Sequence, residues 1–161
     1  MIPLVTTRFD NNTWRENINY REKNNIKGSI YGVPQQMCQK IDLDALVFVI
    51  EMNNQKNQIE GIGLIKNKYE TNRYYKVHND GNTNRFTYIG KYFIDRETLD
   101  DYNAELVYVL DELLFKGYTH SKRGAGLTTI PEKVLKSDFC GEVNIKKDIK
   151  DIFIYHFRNK L

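Results

Sequence analysis

The clearest signal in the chain is a change of hydrophobic period near its middle. Leu43–Met52 has a continuous apolar centre, the pattern of a strand buried on both faces. Gln58–Lys66 alternates, and Asn53–Asn57 between the two is rich in turn formers, so the pair predicts a hairpin. Gly61 and Gly63 predict a bulge or bend in its second strand. From Asn103 to Lys116 the period lengthens: Leu106, Val109, Leu110, Leu113 and Leu114 recur at helical spacing, the mark of an amphipathic helix facing a core. Ile145–Phe157 does the same, with Ile145, Ile149, Ile152, Phe153 and Phe157 opposite Lys146, Lys147, Lys150 and Arg158. His156, near that apolar face, is expected to be partly buried.

Shorter patterns fill the rest. Ile2–Thr7 reads as a first strand, and Asp10, Asn11, Asn12 and Thr13 are candidate caps for a helix running to about Tyr20, ended by the polar run Arg21–Asn25. Ile26–Pro34 predicts a loop or short strand bounded by Gly28 and Gly32, and Pro34 opens a helical turn through Cys38. Tyr74–Val77 and Arg85–Tyr88 read as strands around the Asn79–Asn82 turn, with a bend at Ile89–Lys91 before Tyr92–Ile94. Asp95 caps the next helix, and Pro131 takes the first helical position of a short one through Lys136. Several strands with bulge glycines and peripheral helices give α+β: a small curved mixed sheet or barrel, in a single domain over residues 1–161 with a C-terminal helical extension.

Composition narrows the function classes only slightly. A net charge of +3 permits anionic partners but lacks the strongly basic footprint of a dedicated nucleic-acid binder. Cys38 and Cys140 are too few for a disulfide framework or a complete zinc site, so a reducing, intracellular, cytoplasmic setting is expected. The longest apolar run, Ala45–Ile50, is too short for a bilayer, so no membrane partner is expected. The abundance of Asn, Lys, Ile and Tyr matches AT-rich coding, as in some protists and large DNA viruses.

No catalytic signature stands out. His78, His120 and His156 lack metal-ligand spacing, and the acidic group Asp95, Glu97, Asp100, Asp101 suits a helix N-terminus better than a magnesium site. No metal, cofactor or catalytic residue is therefore expected, and a binding role is favoured over an enzyme. The segment Lys116–Pro131 carries the most chemistry. His120, Lys122 and Arg123 stand directly before Gly124-Ala125-Gly126, a combination that suits a phosphate and equally suits a helix-exit loop. Its glycines fit neither the P-loop nor the dinucleotide order. Aromatics interleave with cations around Tyr74–Phe93, as in surfaces that stack bases while gripping phosphates, and as in ordinary strands.

Val5–Lys66 resembles the PUA-like superfamily, particularly its EVE and YTH branches. The resemblance lies in an early strand leading into Asn12-x-Trp14, then Gly28-Ser29-Ile30-Tyr31-Gly32, Asp44–Ile50 and Ile59–Ile65. It implies a PUA-like β-barrel whose pocket accepts a flipped or modified base, with Trp14 and Tyr31 stacking it and Asn12 and Ser29 bonding its edge. The further tryptophans of a methyl cage are missing, so no methyladenine preference carries over. Arg85, Lys91, His120, Lys122 and Arg123, with Gly124 and Gly126, would then hold phosphates of RNA or DNA. Two rivals are a small ASCH-type nuclease or hydrolase using His120, Lys122 and Arg123, and a structural or adaptor protein of a large DNA virus with protein partners.

Overall fold

The strand Leu46–Asn53 is the axis of the molecule. The computed structural model describes residues 1–158. In chain order it contains β1 (Leu4–Phe9), α1 (Asn11–Lys23), β2 (Ser29–Val33), β3 (Leu46–Asn53), β4 (Gln58–Lys66), β5 (Phe86–Gly90), β6 (Tyr92–Asp95), α2 (Arg96–Tyr102), α3 (Ala104–Phe115), β7 (Thr128–Thr129), α4 (Glu132–Leu135) and α5 (Ile145–Phe157). A five-stranded sheet has the order β6-β4-β3-β1-β7, and β2 and β5 form a separate two-stranded ribbon. β3 pairs parallel with β1 and antiparallel with β4.

Its continuous apolar run is explained by layers on both sides. Phe48, Ile50 and Met52 face one core with Leu106, Leu110, Ile149 and Phe153 from the amphipathic helices α3 and α5. Val47 and Val49 face a second core, with Val5 and Phe9 of β1 and with Tyr31, Val33 and Tyr88 of the ribbon. The fold is α+β, and no barrel closes among the described residues. The ribbon instead meets the sheet backbone to backbone: a Cβ on Gly90 would lie 2.1 Å from the Leu64 carbonyl oxygen.

The hairpin and both long helices form as the pattern predicts, and the bulge falls between Glu51 and Met52, where β4 carries Glu60 as the extra residue. Other expectations need correction. β1 begins at Leu4 and ends at Phe9, later at both ends than expected. α1 runs past Tyr20 to Lys23, because Arg21 turns into the interior instead of ending the helix; Asn24 then bonds back to Tyr20, and Asn25 adopts a φ of 54°. β3 begins only at Leu46, after Asp44 at a φ of 63°. Residues 34–38 form no helical turn, since the Met37 N–H is drawn to the Tyr88 hydroxyl at 2.9 Å. Tyr74–Val77 is not a strand; Tyr75 and Val77 pack by side chains against Ile30. Pro131 caps α4 from outside rather than occupying its first position. His156 is exposed, its Nδ1 2.8 Å from the Tyr102 hydroxyl oxygen. β7 escapes sequence patterning because two residues carry no period. Among the described residues no helix is long and apolar enough to cross a membrane.

Candidate functional site

The charged residue near the end of β1 organises a polar cleft. Arg8 sits beside the edge strand β7, and its guanidinium reaches five oxygens: Nε donates to the Gly124 carbonyl, Nη1 to Thr6 Oγ1, Thr128 Oγ1 and the Ser121 carbonyl, and Nη2 to the Gly126 carbonyl, at 2.9–3.2 Å. Every one of these acceptors is neutral. Burial pulls the Arg8 pKa below its ordinary value, with no carboxylate bond to offset it. Arg8 thus has no carboxylate among its hydrogen-bond partners.

The loop from residue 116 to 127 is folded over this cation. Gly124 and Gly126 have φ of 112° and 76°, a region that side-chain-bearing residues avoid, which is how their carbonyls can converge on one arginine. The Ser121 N–H returns to the Leu114 carbonyl at 2.7 Å, tying the loop to the end of α3. On its other side the loop rests on the β3–β4 turn: Asn54 donates to the Lys122 carbonyl at 2.9 Å, and Lys122 Nζ donates to Asn57 at 2.7 Å.

A cleft of about 360 Å³ opens between this loop, the β1–α1 junction and the end of β2. Arg8, Phe9, Asp10, Thr13 and Thr7 line one side, Gly32, Val33 and Pro34 another, and His78, Thr83, Asn54 and the Gly124–Gly126 backbone complete it. Asp10 caps α1 from the rim, accepting from Thr13 N at 2.7 Å while Thr13 Oγ1 receives the Asp10 N–H. His78 is buried, with Nδ1 2.8 Å from Glu16 Oε1. The cleft thus joins an aromatic wall, hydroxyls, a held imidazole, the Asp10 carboxylate and a cation bonded only to neutral oxygens. Its size suits a single nucleobase or a small anion-bearing group.

No family model matches the chain, and comparison with curated proteins and solved structures gave no match.

The sequence-predicted residues scatter around this cleft. Gly124 and Gly126 line it, with Arg123 exposed beside them. Lys122 lies on the turn side of the loop, and His120 Nδ1 accepts the Lys122 N–H at 3.2 Å, within the loop itself. Arg85 is exposed beyond Thr83, its guanidinium 5.6 Å from the Phe86 ring centre. Lys91 belongs to a different cleft, with Leu46, Leu64 and Tyr92, and is not brought to the others.

The expected base pocket is not assembled as drawn. Tyr31 is 1% exposed and Ser29 0% exposed, because β2 is covered on both faces, and neither lines the cleft. Tyr31 instead donates its hydroxyl to Glu51. Burial, then the Glu51 charge, pushes its pKa well above the usual tyrosine value. Trp14 packs edge-on to Phe9, with ring centres 5.4 Å apart, and faces a neighbouring groove with Asn11, Arg15, Ile18 and Lys56. Asn12 is exposed in the first turn of α1, outside the cleft lining. What sequence reading misses is Arg8, Phe9, Thr13 and His78. One signal is available: a lone arginine closing an apolar strand, next to a stretch that combines an aromatic with four capping residues.

Proposed function

We propose that this chain binds single-stranded nucleic acid at the Arg8 cleft, with one base in the cleft and the adjoining phosphate on the Arg123–Gly126 turn. The observation that carries the reading is the Arg8 guanidinium, surrounded by neutral oxygens only, beneath a glycine turn that exposes Arg123. An anion beside it gains Coulomb energy from a guanidinium that bonds no carboxylate, against the repulsion of Asp10 on the rim of the same cleft. Phe9 and Val33 supply apolar wall for a base, while Thr13, Thr83 and Asn54 supply polar edges. The PUA-like resemblance belongs to this reading as a proposal, with Phe9 and the α1 N-terminus in place of Tyr31 and Ser29.

The hydrolase alternative draws less support, since His120 bonds within its own loop and lies outside the cleft. Binding is tested by fluorescence anisotropy with short labelled RNA and DNA strands over a salt series. Affinity is expected to fall as salt rises, and Arg123→Ala to weaken all strands several-fold while lowering the salt slope by about one. Arg123 is exposed on the loop, so the variant should fold normally. Absence of binding even at low salt overturns the reading.

A further inference from the structure

His78 is held through both its backbone and its ring. Its backbone is clamped by one side chain: the His78 N–H donates to Asn84 Oδ1 at 2.9 Å, and Asn84 Nδ2 donates to the His78 carbonyl at 2.6 Å. Its ring is oriented by α1, with Nδ1 2.8 Å from Glu16 Oε1, while Glu16 Oε2 accepts the Asn79 N–H at 3.2 Å. A carboxylate only accepts, so this contact places a hydrogen on Nδ1, and in the neutral ring Nε2 is left as a bare acceptor.

That second nitrogen makes no hydrogen bond to protein among the described residues, although the side chain is only 3% exposed and lines the cleft. The edge that carries it lies against Gly32. A Cβ there would stand 3.4 Å from His78 Cδ2, the atom bonded to Nε2. The tighter neighbours of that Cβ would be the Thr83 carbonyl oxygen and Asn84 Oδ1, at 3.1 and 3.2 Å, while Gly32 and His78 line the same cleft, so the imidazole edge forms part of its wall. Phe9 flanks the ring at 6.3 Å between centres and lines the same cleft.

We infer that His78 is a specificity-determining residue of the cleft, its Nε2 accepting an N–H from the bound base, with Glu16 as the positioning residue that fixes its tautomer. The ligand class is then a base that presents an N–H donor at its reading edge. A base carrying a methyl group on that nitrogen leaves Nε2 buried and unpaired and is rejected. The inference rests on the nucleic-acid reading above and adds to it a choice between ligands.

The test compares short strands of each base with strands of the N-methylated counterpart, such as uridine against N3-methyluridine and adenosine against N6,N6-dimethyladenosine. For the base that binds best, methylation should weaken binding by about tenfold in the native chain, the cost of one buried unpaired acceptor. His78→Phe keeps the ring volume and should bring that ratio close to one. Glu16→Gln, whose amide can face Nδ1 with either its oxygen or its N–H₂, should reduce the ratio while leaving His78 in place. A purely structural histidine would change all affinities, or thermal stability, together and leave the ratio intact. Equal binding of methylated and unmethylated strands by the native chain overturns the inference, whereas loss of all strand binding at low salt overturns the nucleic-acid reading itself.

Discussion

Two arginines of the β1–α1 unit, one near the end of the strand and one in the last turn of the helix, meet opposite electrostatic fates. Arg21, 5% exposed on α1, donates to Glu51 Oε2 at 2.9 Å, and the same oxygen receives the Tyr31 hydroxyl. Burial lowers the Arg21 pKa, but the Glu51 carboxylate and Tyr31 more than offset it, and the net shift is upward. The guanidinium also lies 4.5 Å from the Phe93 ring centre. Arg8 has only carbonyls and hydroxyls, and burial leaves its pKa lowered. The closed arginine is neutralised by its own chain; the one beside a cleft is not. Charge left uncompensated at a concave surface is where a ligand has most to gain.

The sharpest way to break this comparison is to remove the carboxylate. Glu51→Gln leaves Arg21 charged in a region where Glu51 is 0% exposed, and losing one partner of a buried ion pair costs about 3–5 kcal/mol. Urea denaturation should read a loss of that size. A variant as stable as the native chain would mean that the pair adds little to the fold. The glycines of β4 belong to the same arrangement. A Cβ on Gly63 would lie 2.2 Å from the Tyr31 hydroxyl, so this glycine makes room for the buried triad, while Gly61 makes room for the Phe93 ring.

Tyr31 gives a second test through pH. Its folded-state pKa is raised, first by burial and then by Glu51, so above the ordinary tyrosine pKa the unfolded chain loses a proton that the folded chain keeps. Stability from this group is full below about pH 10 and falls as pH rises beyond it, by about 1.4 kcal/mol per pH unit for one proton. Comparing stability in buffers above about pH 10 for the native chain and Tyr31→Phe should isolate that slope. Identical alkaline slopes would show that Tyr31 ionises as readily in the fold as outside it.

How far the sequence reveals these two sites follows from periodicity. The strands and helices that carry the cores are legible because Val47–Ile50, Leu106–Leu114 and Ile145–Phe157 have clear patterns. Arg21 reads as part of a polar stop because its partner, Glu51, lies thirty positions away and on another element. The Gly124–Gly126 turn is visible as glycine and charge, but its partner Arg8 comes from β1 across a separation of 116 positions. Tyr31 looks like a stacking residue in the sequence, since an aromatic between glycines reads alike whether it is covered or open. Coverage is decided by what packs over β2, and that is a long-range property.

Arg8→Met is expected to have the smallest effect on the fold and a large one on binding. The substitution keeps part of the apolar stem and removes all five contacts to the loop and the Thr6 and Thr128 hydroxyls. The freed carbonyls of Gly124 and Ser121 lie on exposed or half-buried residues and can turn to water, so the loss of stability should be about 1–2 kcal/mol, less than for Glu51→Gln. Hydrogen exchange should rise in residues 116–127 and leave β3 and β4 protected. Nucleic-acid affinity should fall by more than for Arg123→Ala, because both the open charge and the shape of the turn depend on Arg8. An Arg8→Met variant that is as unstable as the Glu51→Gln variant, or that binds strands as well as the native chain, would erase the distinction between an arginine that closes the fold and an arginine that opens onto a ligand.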